Sequence, residues 1–177
     1  MHTISINHTQ WDTFSLKVLD DYITSQSASL EFVYKSDFKN AKILRDCVEY
    51  ILKSFQLNQK DISRYILACD EMNNNAIEHG SKPGDTNILR LEITKEKNNI
   101  YLNIQVQDSG NGKTAKSAEQ MNECKNKRSQ IDFTKHNSIR GRGLFLIIIN
   151  IVDELYFQDA EKWWLIVWFK KDLSYWG

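Results

Sequence analysis

The chain has 177 residues, enough for one domain with a proper core or one domain plus an arm. Its 23 basic and 23 acidic residues balance, so no global charge points to nucleic acid or to an anionic membrane. The longest unbroken apolar run, Leu144–Ile149, is far too short to span a bilayer, which leaves a membrane-spanning class excluded on this reading.

The N-terminus has neither the basic start nor the apolar core of a signal peptide. Cys47, Cys69 and Cys124 are odd in number and show no metal-ligand spacing; Cys47 and Cys69 read as small buried thiols. A soluble, reduced, cytoplasmic protein is expected.

Residues 1–29 read as an N-terminal extension, polar and rich in Ser, Thr, Asp and Gln. The helical spacing of Phe14, Val18 and Tyr22 predicts a short helix there. The main domain, 30–177, opens on a strand at Leu30–Lys35, with Leu30, Phe32 and Tyr34 on one face. Asp37 is placed to cap a helix whose Leu44, Cys47, Val48, Ile51, Leu52 and Phe55 recur at three and four. Asn58 is placed to cap a second, with Ile62, Tyr65, Ile66, Cys69, Met72 and Ala76 as its buried stripe. That helix ends at Gly80, before the breaker Lys82-Pro83-Gly84.

Two strands, Ile88–Thr94 and Ile100–Gln107, form a hairpin turning at Lys97-Asn98-Asn99. From 113 to about 140 the sequence is polar and basic, and is predicted to be a long mobile loop, a lid. Leu144–Val152 is strand-like in composition, but the glycine-rich turn opening into it suits a buried helix; pattern alone leaves both open. Strands at Glu154–Gln158 and Lys162–Lys170 close the chain. Trp163, Trp164, Trp168 and Trp176 crowd this end, for packing or for a partner surface.

Three stretches carry chemistry. In Asp70–Gly80, Glu71 and Asn75 sit four apart, so on a helix a carboxylate and a carboxamide project from one face. A carboxylate that polarises a hydroxyl beside a neutral oxygen that ligates a hard cation suits phosphoryl transfer from a metal-bound nucleotide. For an arbitrary Glu-x-x-x-Asn, a polar helix face is the ordinary explanation.

The second stretch, Asp108-Ser-Gly-Asn-Gly112, follows a strand. Asp108 could accept from an exocyclic amine, and Gly110 and Gly112 let the backbone pass close to a ligand. Alone it reads as a turn. In the third, Gly141-Arg-Gly-Leu144, free amides could meet phosphate, with Lys135, Arg140 and Arg142 nearby. Between Lys113 and Arg142 eight basic residues face three acidic ones, which suits a lid over a polyanion.

In this order the three stretches resemble the gyrase–histidine-kinase (GHKL) ATPase superfamily over about residues 30–171. The likeness is to its small, free-standing anti-sigma-factor serine/threonine kinases of partner switching. Asp70–Gly80 resembles the family's N box, Asp108-x-Gly110-x-Gly112 its adenine-binding turn, and Gly141-x-Gly143-Leu144 its second glycine box. Asp132-Phe-Thr134-Lys135 is similar to the lid's Phe-Thr-Thr-Lys stretch.

The resemblance implies an α+β two-layer sandwich, with a mixed, largely antiparallel sheet covered on one face by helices and ATP held between helices and lid. It implies Glu71 as catalytic carboxylate, Asn75 as Mg²⁺ ligand and Asp108 on the adenine amine. Gly110, Gly112, Thr134, Lys135, Arg140, Gly141, Arg142, Gly143 and Leu144 would complete the nucleotide site. It favours a helix at Leu144–Val152. The implied activity is phosphorylation of a serine on an antagonist protein by a kinase that also binds a sigma factor, a role in transcription regulation.

One departure stands out: the usual Gly-Thr at the start of the last strand is replaced in Lys162-Trp-Trp-Leu165. A catalytically inactive, nucleotide-gated binding module of the same fold is therefore the competing reading. A histidine kinase would need a phosphoacceptor His on a dimerising hairpin, and His2 and His8 have no such context. A gyrase-like enzyme would need a following transducer domain. The extension could pack on the domain or serve partner or homodimer contacts.

Overall fold

A computed structural model describes residues 1–6, 16–97, 99–129, 151–160 and 165–172. They form a six-stranded sheet in the order β1-β2-β3-β4-β6-β5, from β1 (His2–Ile6), β2 (Ser27–Lys35), β3 (Thr86–Glu96), β4 (Asn99–Gln107), β5 (Glu154–Asp159) and β6 (Leu165–Asp172). Only β1 and β2 pair in parallel; the other four pairings are antiparallel. This is the mixed, largely antiparallel sheet of the expected α+β sandwich.

One face of the sheet is apolar by strict alternation. Leu30, Phe32 and Tyr34 of β2, Leu89, Leu91 and Ile93 of β3, and Leu102, Ile104 and Val106 of β4 are all buried. Against them pack α1 (Phe38–Ser54) and α2 (Gln59–Asn75), through Leu44, Cys47, Val48 and Ile51 and through Ile62, Tyr65, Cys69 and Met72. Burial of apolar surface between these layers supplies the main stabilisation. The opposite face carries the Glu31–Arg90 ion pair and a Tyr156–Trp168 stack with centroids 4.1 Å apart.

Both helix starts are fixed locally. Asp37 accepts from Lys39 N at 2.9 Å, and Asn58 Oδ1 accepts from Asp61 N at 2.9 Å. Such a cap contributes about 1 kcal/mol. The β3–β4 hairpin closes with Glu96 opposite Asn99. No helix among the described residues is long and apolar enough to cross a membrane.

Two expectations need revision. The segment at 1–29 is not all apart from the sheet: His2–Ile6 pairs with Leu30–Tyr34 as an edge strand, and β2 begins at Ser27. Residues Leu16–Tyr22 form a 3-10 helix, with Leu19 fully buried; Phe14 lies outside the described residues. The stretch predicted as a continuous loop from 113 to 140 contains α3 (Ala118–Ser129).

This third helix has almost no apolar periodicity, which is why it was missed. Ala118, Met121 and Cys124 meet the core, and polar contacts supply the rest of its anchoring. Ser117 and Gln120 cap each other reciprocally, Gln120 N to Ser117 Oγ at 3.3 Å and Ser117 N to Gln120 Oε1 at 3.1 Å. Ala118 N donates to Asp159 Oδ1 and Lys125 Nζ to Leu155 O, tying the helix to β5. Of the run Leu144–Val152, only Ile151, which is helical, and Val152 are described.

Candidate functional site

The site is built where α2 ends. After Asn75 the helix widens into a π-turn at Ala76–Gly80, a distortion often found at functional positions. Glu71 and Asn75 lie one turn apart just before it, and Asn75 Nδ2 donates to the Glu71 carbonyl at 2.7 Å. That bond orients the carboxamide. Among the described residues its Oδ1 has no hydrogen-bond partner.

The Glu71 carboxyl is raised above its ordinary pKa, first by burial and then by the neighbouring charge of Asp70. Asp70 is itself buried. Burial pushes its pKa up, against the opposing pull of Arg45, whose Nε and Nη2 meet Asp70 Oδ2 at 2.7 and 2.6 Å. This pair joins α1 to α2 directly beside Glu71. Sequence reasoning passed over it, because the spacing from Arg45 to Asp70 crosses two helices.

The three consecutive asparagines divide their work. Asn73 is buried, accepting from the Tyr34 hydroxyl at 2.8 Å and donating to Cys69 Sγ. It fixes α2 to the sheet, whereas Asn75 stays at the half-buried face.

The turn after β4 is brought against the π-turn. Asp108 is buried; its Oδ1 accepts from Gly110 N at 2.9 Å and Leu165 N at 3.1 Å, while its own N–H donates to Leu165 O. Burial raises its pKa, and those two N–H donors pull it back. Gly110 has φ +65, in the left-handed region that favours glycine. Gly112 N donates to Gly80 O at 3.1 Å, and a side chain at Gly112 would strike the His79 carbonyl.

A polar relay holds the turn from behind. Ser109 N donates to Ser81 Oγ at 2.9 Å, Ser109 Oγ to Asp85 Oδ2 at 2.7 Å, and Ser81 Oγ to Asn87 Oδ1 at 2.5 Å. The Ser109 hydroxyl is the chief reason the Asp85 carboxyl lies below its usual pKa. His79 Nδ1 and Thr114 Oγ1 share a hydrogen bond at 2.9 Å beside the turn.

Glu71, Asn75, Asp108, Gly110 and Gly112 thus converge on one end of α2. Thr134, Lys135, Arg140, Gly141, Arg142, Gly143 and Leu144 lie outside the described residues, as do Trp163, Trp164 and Trp176. The arrangement suits Mg²⁺, which accepts one or two protein oxygens and completes its shell with phosphate and water. Asn75 Oδ1 is such an oxygen, and among the described residues no cluster of three His, Cys, Asp or Glu competes with it.

A search of curated proteins returned no match. The family model described as a histidine kinase-like ATPase domain matches residues 35–169, from the end of β2 almost to the end of β6. That span covers β3, β4, β5 and most of β6, α1, α2 and the carboxylates Glu71 and Asp108, and the chain belongs to this ATP-binding GHKL-type family.

Proposed function

We propose that this chain is an anti-sigma-factor-type serine/threonine protein kinase, working in the cytoplasm on an antagonist protein and binding a sigma factor in the alternate state of a partner switch. The observation that carries the reading is the half-buried Glu71 carboxylate one turn from a carboxamide whose oxygen has no hydrogen-bond partner among the described residues. Residues 30–177 would form the catalytic domain, with 1–29 as an extension contributing the edge strand and leaving homodimer or partner contacts to its remainder.

In this reading Asp108 accepts from the adenine amine and the Gly110–Gly112 turn lies against the nucleotide. Thr134, Lys135, Arg140 and the Gly141–Leu144 stretch hold its phosphates. Asn75 Oδ1 would hold Mg²⁺, whose charge neutralises the phosphate oxygens during transfer. Glu71 accepts the proton of the attacking serine hydroxyl. Its raised pKa brings it closer to working pH, where general-base catalysis is most efficient.

A second reading is favoured by one contact. The residue that meets Asp108 across the strand pair is Leu165, which offers its backbone N–H and no hydroxyl. A weakened base pocket would leave a nucleotide-gated binding module without transfer.

The deciding experiment is calorimetric titration with ATP and ADP, with and without Mg²⁺, followed by incubation of the chain with a serine-bearing antagonist protein and γ-labelled ATP. Micromolar Mg²⁺-dependent binding, about −8 kcal/mol, with label on serine supports the kinase. Binding without label supports the module. No nucleotide binding defeats both.

A further inference from the structure

One carboxylate braces the glycine turn from the loop that precedes β3. Asp85 is the last residue of that loop, next to Thr86 where the strand begins. Its Oδ2 accepts twice, from Lys82 N at 3.1 Å and from Ser109 Oγ at 2.7 Å. The Asn111 side chain bears on the same carboxylate. Ser109 and Asn111 flank Gly110, the residue held in the left-handed region, so Asp85 grips the turn on both sides of it.

The backbone of Asp85 is fixed as firmly as its side chain. Its carbonyl accepts from Ser36 N at 2.8 Å, and its N–H donates to Lys82 O at 3.0 Å. Ser36 is buried, and its hydroxyl donates to Ile77 O in the π-turn at 3.4 Å. Asp85 therefore stands on the same framework as the end of α2, and it ties Ser109 to that framework. Ser81 Oγ holds the Ser109 N–H from the other end of the loop.

The turn in turn aims Asp108. Gly110 N–H is one of two donors to Asp108 Oδ1, and Leu165 N–H is the other. The second oxygen lies against Gly80, where an added methyl group would fall on it. Releasing Ser109 and Asn111 lets Gly110 swing, and one of the two bonds that orient the carboxylate goes with it. We propose that Asp85 is a positioning residue of the nucleotide site, holding the Ser109–Asn111 turn so that Asp108 meets the exocyclic amine of adenine. This rests on the ATP-site reading above. Asp85 acts through Ser109 and needs no contact with the nucleotide.

The test measures, by calorimetry, the preference for ATP over inosine triphosphate, whose 6-oxygen cannot donate. Wild type is expected to prefer ATP about tenfold, the worth of one charge-assisted hydrogen bond. Asp85→Ala is expected to cut that preference by about threefold or more, through weaker ATP binding. A merely structural role would weaken both nucleotides alike and leave the ratio unchanged, which overturns the proposal. Asp85→Asn keeps one oxygen, enough because both bonds end on Oδ2, and is expected to restore the ratio. A ratio as low as that of Asp85→Ala would count against the proposal.

Should Asp85→Ala not fold, Ser109→Ala removes the hydroxyl alone and is expected to lose preference to a similar degree. An undiminished ratio there overturns the proposal. Where both single variants fold, the double variant is expected to be no worse than either, because the two residues share one route. Additive losses would mean that Asp85 acts by another route. Wild type that binds no ATP refutes the ATP site itself. Wild type that prefers ATP while all variants keep that preference refutes only the role of Asp85.

Discussion

Gly80 and Asp108 occupy each other's space: a methyl group on Gly80 would overlap the Asp108 carboxyl. The last residue of the π-turn is therefore glycine because the carboxylate after β4 needs its place, not because a helix must end there. Gly80→Ala forces the turn at Asp108–Gly112 away from α2 and strains the Gly112–Gly80 bond. Overpacking of this kind costs about 1–3 kcal/mol. Thermal unfolding should register the loss, and ATP titration should show binding reduced beyond what the stability change explains. Unchanged binding would separate Asp108 from the nucleotide.

Asn75 and Glu71 should fail in different ways. Asn75→Ala removes the carboxamide oxygen together with the bond to the Glu71 carbonyl. Mg²⁺-dependent ATP affinity is expected to fall at least tenfold, or about 1.4 kcal/mol, while Mg²⁺-free binding changes little. Glu71→Ala is expected to bind Mg²⁺ and ATP normally and to lose phosphoryl transfer. Calorimetry and a labelled-phosphate assay, run on both variants, separate the two roles. Normal Mg²⁺-dependent binding by Asn75→Ala would remove the metal assignment.

Glu71 also couples the site to pH. Burial and the charge of Asp70 raise its folded-state pKa above the unfolded value. Below the unfolded pKa both states are protonated and nothing is gained or lost. As pH rises through the window the unfolded chain releases its proton first, so stability declines until the folded pKa is passed. Glu71→Gln is therefore expected to unfold at a higher temperature than wild type at neutral pH, and to lose that advantage at pH 3. Asp70→Asn removes the like charge and should lower the Glu71 pKa, read directly from its side-chain carboxyl resonance in an NMR titration. The half-exposed Arg45 left without its partner costs little.

The layers of this fold were legible because its inner face is written in period. Leu30, Phe32 and Tyr34 at period two, and Leu44, Cys47, Val48 and Ile51 at three and four, are the residues that the core buries. Asp37 and Asn58 announced both helix starts. The contacts that shape the site were not legible, since Arg45–Asp70, Tyr34–Asn73 and Ser109–Ser81 join positions 25, 39 and 28 residues apart. Nothing in local pattern encodes such pairs. The edge strand at His2–Ile6 escaped notice because its apolar alternation, Ile4 and Ile6, is only two residues long.

The third helix teaches a different lesson, because its signal was present and was polar. Ser117-Ala-Glu-Gln120 is a capping box, and Ala, Glu, Gln, Met and Lys after it are good helix formers. Beyond the core contacts of Ala118, Met121 and Cys124, the helix depends on this cap, on the Asp159 carboxylate at Ala118 N and on Lys125 reaching Leu155 O. Ser117→Ala should cost about 1 kcal/mol, felt locally rather than in the core. Amide hydrogen exchange over Ala118–Gln120 is expected to quicken severalfold while that of Leu89–Ile93 stays unchanged, since the caps and the sheet belong to separate cooperative units. Equal acceleration in both segments would mean that the helix and the sheet unfold as one.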